Sequence, residues 1–274
     1  MKETLETLLV RHKITTHKRL RRLLQTHILC INGERAFLPS SETDIKKDII
    51  TLDGKKLDFP SELYFMMNKR KGTLCSRKDT VPDDKRKYEL VYDDIKKEHL
   101  FPEGLPPLHT VGRLDADTEG LLIFTTNGIL SHRLADPKYH VDKTYLVTLE
   151  NPVTTEEQIQ YKNKSLEGIF IPNFNSEKSF TSQSAELTWI TNSTCTLTIH
   201  EGKFHQVKRM FQALGNRVTA LKRISMGKLK LDENLKSGEY RELTEKEITM
   251  LTEIPWLLKV LTMVSYIYIA LKSK

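Results

Sequence analysis

The chain has 274 residues, 38% hydrophobic and 29% charged, which suits one large and one small folded domain and excludes a disordered or fibrous polymer. Its formal net charge is +7, a surplus of cations that favours polyanionic partners, because each Lys or Arg beside a phosphate releases condensed counterions. The three cysteines, Cys30, Cys75 and Cys195, lie far apart with no C-x-x-C pair, which argues against a zinc site and a disulfide framework and fits a reducing cytosol.

The opening run MKETLETLLVRHK carries charge throughout and no apolar signal segment, so a cytoplasmic location is expected. Leu5, Leu8 and Leu9, then Leu20, Leu23 and Leu24, follow helical spacing, and Thr15 and Thr16 interrupt them where a second helix would be capped. Cations crowd the same stretch, among them Lys18, Arg19, Arg21 and Arg22. A strand over 28–31 meets Asn32-Gly33, and a second over 49–52 meets Asp53-Gly54; both pairs are tight-turn signals because these residues tolerate positive φ. By charge patterning alone, the basic helix face is either an RNA contact or a solvated surface.

Beyond Pro60, Leu63 to Lys69 reads as a buried strand opening a second domain. Residues 78–99 are dense in charge and 102–109 in proline and glycine, so both are expected as substrate-facing loops. Further strands are expected over 144–149, 185–190 and 194–200, and helices over 129–134, 155–161, 207–214 and 245–251. The fold class is therefore α+β.

The run from Val111 to Gly128 is a polar loop with a glycine at each end, leading into a short apolar strand that is expected to stop at an Asn127-Gly128 turn. Asp115, Asp117 and Glu119 crowd the loop beside Arg113. A carboxylate at the mouth of a buried strand has the fixed direction that a nucleophile or general base requires. Acidic loops with an adjacent arginine are also often plain ion pairs, and spacing alone leaves both readings open.

Gly112-Arg113-Leu114-Asp115 followed by Thr118-Glu119-Gly120-Leu121-Leu122 resembles the signature of the RsuA/RluA superfamily of pseudouridine synthases. Lys143-Thr144-Tyr145 is similar to its K-x-Y element, and Gly202 to Met210 is similar to its G-x-x-x-Q-[VI]-[KR]-R-M segment. The N-terminal helix pair and hairpin resemble an S4-type RNA-binding domain, in the place the family puts it. The resemblance implies an S4-like domain over 1–58, a mixed, largely antiparallel synthase domain with flanking helices over 59–251, and an apolar tail over 252–274. It implies a monomer that isomerises uridine to pseudouridine in ribosomal RNA or an assembling ribosomal subunit, with no cofactor and no metal. Gly202–Met210 reads most like the branch acting on small-subunit rRNA. Large-subunit rRNA and a non-catalytic assembly factor stand as alternatives.

The resemblance also distributes roles. Asp115 is the catalytic carboxylate, either attacking the sugar C1′ or abstracting a sugar proton. Lys208 is its cationic partner, with Arg209 the competitor; Tyr145 stacks on the target uracil. Arg113 fills the gap left by the extruded uridine or meets a neighbouring phosphate. Lys143, Arg209, Lys18, Arg19, Arg21 and Arg22 are expected to contact RNA, the N-terminal set through phosphates. His205 and Gln206 stay outside the catalytic set. One departure is Arg70, standing where many relatives carry proline in N-K-P-x-G. The apolar stretch 254–271 is expected as a helix packed on the protein or a partner, with a membrane contact or a functionless extension as alternatives.

Overall fold

The computed structural model describes residues 2–45, 47–77, 88–173 and 178–252. Residues 78–87 of the charged loop and the 254–271 tail thus lie outside the described residues, and with the tail its expected helix. The chain divides into two compact units: one holds the residues up to Leu63 together with Lys96–His109, the other Tyr64–Ile95 and Thr110 onward.

In the first unit, α1 (Leu5–Arg11) is capped by the Thr4 side chain, which accepts from Thr7 N at 3.2 Å. The second helix, α2 (His17–Thr26), begins at Thr16 as expected, but this threonine makes no side-chain capping bond. The leucine spacing sets the packing. Leu5, Leu8, Leu9, Leu20 and Leu24 join Leu29, Ala36 and Ile50 in one core, which leaves Lys18, Arg19, Arg21 and Arg22 exposed on the opposite face of α2. Strands β1 (Leu29–Ile31) and β2 (Ile50–Leu52) pair antiparallel at the centre of a small sheet. Asn32, Gly33, Asp53 and Gly54 all take positive φ, as the turn signals required.

The second unit is built on β3 (Tyr64–Lys69), β4 (Glu119–Thr125), β5 (Lys143–Leu149), β6 (Glu186–Trp189), β7 (Thr194–Ile199), β8 (Val218–Met226) and β9 (Tyr240–Glu242). They run in the order β6-β7-β5-β8-β4-β3-β9. Every pair along this path is antiparallel except β4 with β8, which is parallel. Helices α3 (Gly128–Ala135), α4 (Thr155–Glu167), α5 (Gln206–Ala213) and α6 (Glu245–Thr252) accompany the sheet. A core of Met66, Val111, Leu121, Ile123, Leu130, Leu134, Met226, Leu229, Leu243 and Leu251 ties β3, β4 and β8 to α3 and α6.

Three sequence expectations need correction. Asn127-Gly128 is not a turn of the hairpin kind: Asn127 has φ −85°, and its side chain accepts from Leu130 N at 2.8 Å, so it caps α3. Helix α4 runs to Glu167, well past 161, helped by a capping box between Thr154 and Glu157. The nine-residue β8, at the centre of the sheet, was not expected at all. Its interior holds Lys222 and Arg223, and charged residues depress a strand reading. Among the described residues, no helix is long and apolar enough to cross a membrane.

The parallel contact between β4 and β8 positions the acidic loop. Gly120 sits opposite Arg223 in that register with φ +98°. A Cβ there would lie 2.3 Å from the Arg223 carbonyl oxygen, so only glycine permits so close an approach.

Candidate active site

The acidic loop, residues 112–118, reaches the head of β4 in a fixed shape, because its carbonyls are collected by one buried cation. Lys69, at the end of β3, is fully buried. Its ammonium donates to Asp115 O at 3.1 Å, Ala116 O at 3.3 Å, Thr118 O at 2.9 Å and Arg70 O at 3.1 Å. Burial pushes the Lys69 ammonium below its usual range, against the pull of Cys75 and the loop carboxylates. Two backbone contacts add to the clamp: Gly72 N donates to Ala116 O at 2.7 Å, and Leu114 N donates to Cys75 Sγ at 3.4 Å.

Arg70, where the resemblance led to an expectation of proline, forms ion pairs with Glu89 and Asp94. These bonds hold its guanidinium well above the usual arginine range. The departure is therefore occupied by a charge network in the same unit.

Helix α5 approaches the loop from the other side. Its N-cap, His205, takes a left-handed conformation (φ 50°, ψ 29°) that non-glycine residues seldom adopt. The preceding turn is secured by Gln206, whose side chain accepts from Lys203 N at 3.0 Å and donates to the buried Glu201 at 2.6 Å. The helix thereby aims Lys208 at the acidic loop. Lys208 Nζ donates to Asp115 Oδ2 at 2.9 Å and also to Asp117 Oδ1. Burial alone would lower the Lys208 ammonium; bonds to the two carboxylates outweigh it and raise it. At Asp117 burial pushes upward, but the hydrogen bond and charge of Lys208 prevail and hold the carboxyl below its usual range. His205 Nε2 stands 3.7 Å from Asp115 Oδ1.

A cleft of about 920 Å³ opens over these groups, lined by Arg113, Asp115, Asp117, Lys203, Phe204 and His205 among others. A smaller recess of about 70 Å³ shares Arg113, Asp115 and His205 with it and is also lined by Tyr145, Ile199 and Leu221. Asp115, Tyr145 and Lys208, which stand on three separate elements, are thus gathered at one place. Arg113 is exposed at the rim, and its guanidinium makes no ion pair among the described residues, so the ion-pair alternative with Asp117 or Glu119 is not realised.

Two expected RNA contacts are turned inward. Lys143 is 5% exposed, and its ammonium donates to Val141 O at 3.1 Å; burial, with Arg223 nearby, pushes it down to about 8. Arg209 is also 5% exposed. It donates to Pro172 O at 2.8 Å and lies over the Phe180 ring at 5.0 Å. Both cations are buried and bonded to groups of the protein itself. Arg209 is also not the partner of Asp115, because that position is taken by Lys208. In the first unit, Lys18, Arg19, Arg21 and Arg22 are exposed and in no ion pair among the described residues. Arg19 and Arg22 join Lys13 around a surface concavity of about 670 Å³.

Sequence reasoning gave Lys69 no site role, although it carried a signal, a charged residue closing an otherwise apolar strand. His205 was placed outside the catalytic set, and nothing in the sequence signals its left-handed backbone or its place beside Asp115.

Residues 63–213 match the family described as RNA pseudouridylate synthase. Over 253 residues the chain is 36% identical to "Uncharacterized RNA pseudouridine synthase YtzG" of Bacillus subtilis, covering 91% of this chain and 98% of that protein. It is 44% identical over 185 residues to "Ribosomal small subunit pseudouridine synthase A" of Salmonella typhimurium, 68% of this chain and 72% of the relative. The protein of the same name from Haemophilus influenzae is 42% identical over 226 residues, 81% of this chain and 88% of the relative. A crystal structure of a pseudouridylate synthase superposes with a TM-score of 0.60 at 36% identity, covering 91% of this chain and 99% of that one.

Proposed function

Because the chain belongs to the RNA pseudouridylate synthase family and is therefore an isomerase, we propose that it converts one uridine of small-subunit ribosomal RNA to pseudouridine, with Asp115 as its catalytic carboxylate. The small-subunit assignment is supported by relatives 42% and 44% identical that carry that description. The observation that carries the role of Asp115 is its contact with Lys208 at 2.9 Å, in a cleft whose inner recess is lined by Tyr145.

In this reading the target uridine leaves its stack and enters the recess, its base against the flat face of Tyr145. A planar contact without directional bonds holds the uracil while letting it turn. Asp115 promotes cleavage of the bond between N1 and C1′, by attack on C1′ or by removing a sugar proton. The freed uracil rotates and closes a bond from C5 to C1′. The hydrogen leaving C5 is balanced by one gained at N1, so product and substrate are isomers, and the reaction as written consumes no cofactor. Lys208 holds Asp115 in place through the 2.9 Å bond to its Oδ2. Arg113, free at the rim, is the side chain available to take the space that the base vacates or to meet the adjacent phosphate.

The N-terminal residues 1–58 act in this proposal as an S4-like RNA-binding domain, supported by the exposed, unpaired cations of α2. Their contacts go to phosphates and fix position rather than sequence. The second unit, Tyr64–Ile95 with the residues from Thr110 onward, is the catalytic domain in this proposal, and the protein works as a cytoplasmic monomer on RNA or an assembling subunit.

The test is a pseudouridine map of ribosomal RNA from cells with the protein, without it, and with Asp115→Asn. One small-subunit site should vanish in the deletion and in the variant, and return with the wild type. An unchanged map in the deletion strain would refute the proposal.

A further inference from the structure

Phe204 is 47% exposed in the cleft that also holds Arg113, Asp115, Asp117 and Lys203. Its ring lies 3.8 Å from that of His205, at an interplanar angle of 19°. The imidazole therefore covers one face and leaves the other to solvent; among the described residues no other ring or cation lies on it. The backbone that carries the pair is held firmly. Arg209 donates to Phe204 O at 3.5 Å, Gln206 fixes Lys203 N, and His205 is set in its left-handed conformation. His205 in turn stands beside Asp115.

We propose that Phe204, backed by His205, is a stacking surface for an unpaired nucleobase of the RNA next to the target uridine. Extruding a uridine breaks its stacking with its neighbours, and an aromatic face in the same cleft restores a partner to one of them. A phenyl ring has no hydrogen-bonding edge, so it accepts any base: Phe204 sets the position of the strand and not its sequence. This is a role separate from that of Tyr145, which lines the inner recess. The inference rests on Asp115 marking the reacting centre.

Steady-state pseudouridine formation on an RNA fragment carrying the mapped uridine tests it. Phe204→Ala should raise KM about 5- to 150-fold, the span expected for one lost base–aromatic stack, with a much smaller change in kcat. Phe204→Trp should remain near wild type. Substrates made abasic at each flanking nucleotide in turn should identify one position where the lesion raises KM for the wild type and has no further effect on Phe204→Ala. A KM for Phe204→Ala within about twofold of wild type would overturn the proposal. So would a fall in kcat alone with both enzymes equally sensitive to every abasic position, since that is the behaviour of a mere prop for His205. If Asp115→Asn kept its activity, the reading of the reacting centre would fail, while the coupling between Phe204 and one nucleotide would still be measured independently.

Discussion

Lys208 Nζ sits 2.9 Å from Asp115 and is bound to Asp117 as well, so a single ammonium answers two carboxylates of one loop. Lys208→Met removes that charge and leaves the pair to repel each other. We expect kcat to fall on the order of 10²-fold or more, the scale of losing one preorganised electrostatic contact, with KM changed far less. Lys208→Arg should recover part of the rate. The pH behaviour follows from the two shifts. Asp117, held low, stays charged until the pH drops below its ordinary range. Lys208, held high, stays charged until the pH rises above its own. Neither should produce a break in kcat between about pH 5 and 10, whose limits follow from the ordinary values of these groups. A break in that interval that disappears in Lys208→Met would show that the pair does not stay charged throughout.

The close approach at Gly120 makes a second test. Gly120→Ala places a methyl group 2.3 Å from the Arg223 carbonyl at a φ of +98°, and neither backbone can yield without separating β4 from β8. Unfolding in urea should show a loss of about 3 kcal/mol or more, at the high end for a single substitution. A stability within 1 kcal/mol of wild type (about the cost of an unstrained change) would mean that the strands part easily and that the loop is not held by this register.

Sequence patterning revealed the leucine face of α2, both positive-φ turns and the apolar strand β4, because each follows from local periodicity or local backbone preference. The site was legible only through motifs, and then only as residue types. That Asp115, Tyr145 and Lys208 meet depends on strands brought together across the whole second unit, as in the register that sets Tyr145 against Arg223. The failures share a cause. Lys143 and Arg209 are cations, and a cation read from sequence is assigned to the surface; here each is buried, with backbone carbonyls accepting its hydrogen bonds. The same bias hid β8, whose Arg223 is 2% exposed and donates to Leu121 O at 2.8 Å.

Lys143 offers a stability test of such burial. Burial and the neighbouring Arg223 bring its folded value to about 8, against 10.5 for the free side chain. Between those two values the unfolded chain binds more protons than the folded one, so this group's contribution to stability improves as pH rises. Below about pH 8 folding carries the full penalty of an enclosed charge; above about 10.5 that penalty is gone. The gap corresponds to a ceiling of about 3 kcal/mol, reduced by about 1 kcal/mol for the bond to Val141 O that a replacement forfeits. Lys143→Met should therefore be more stable than wild type at pH 6 to 7, and its advantage should shrink steadily as pH rises past 8. Urea unfolding of both proteins from pH 6 to 9.5 measures the difference directly. An advantage that stayed constant across that range would mean Lys143 keeps its proton in the fold and that packing, not charge, accounts for the gain.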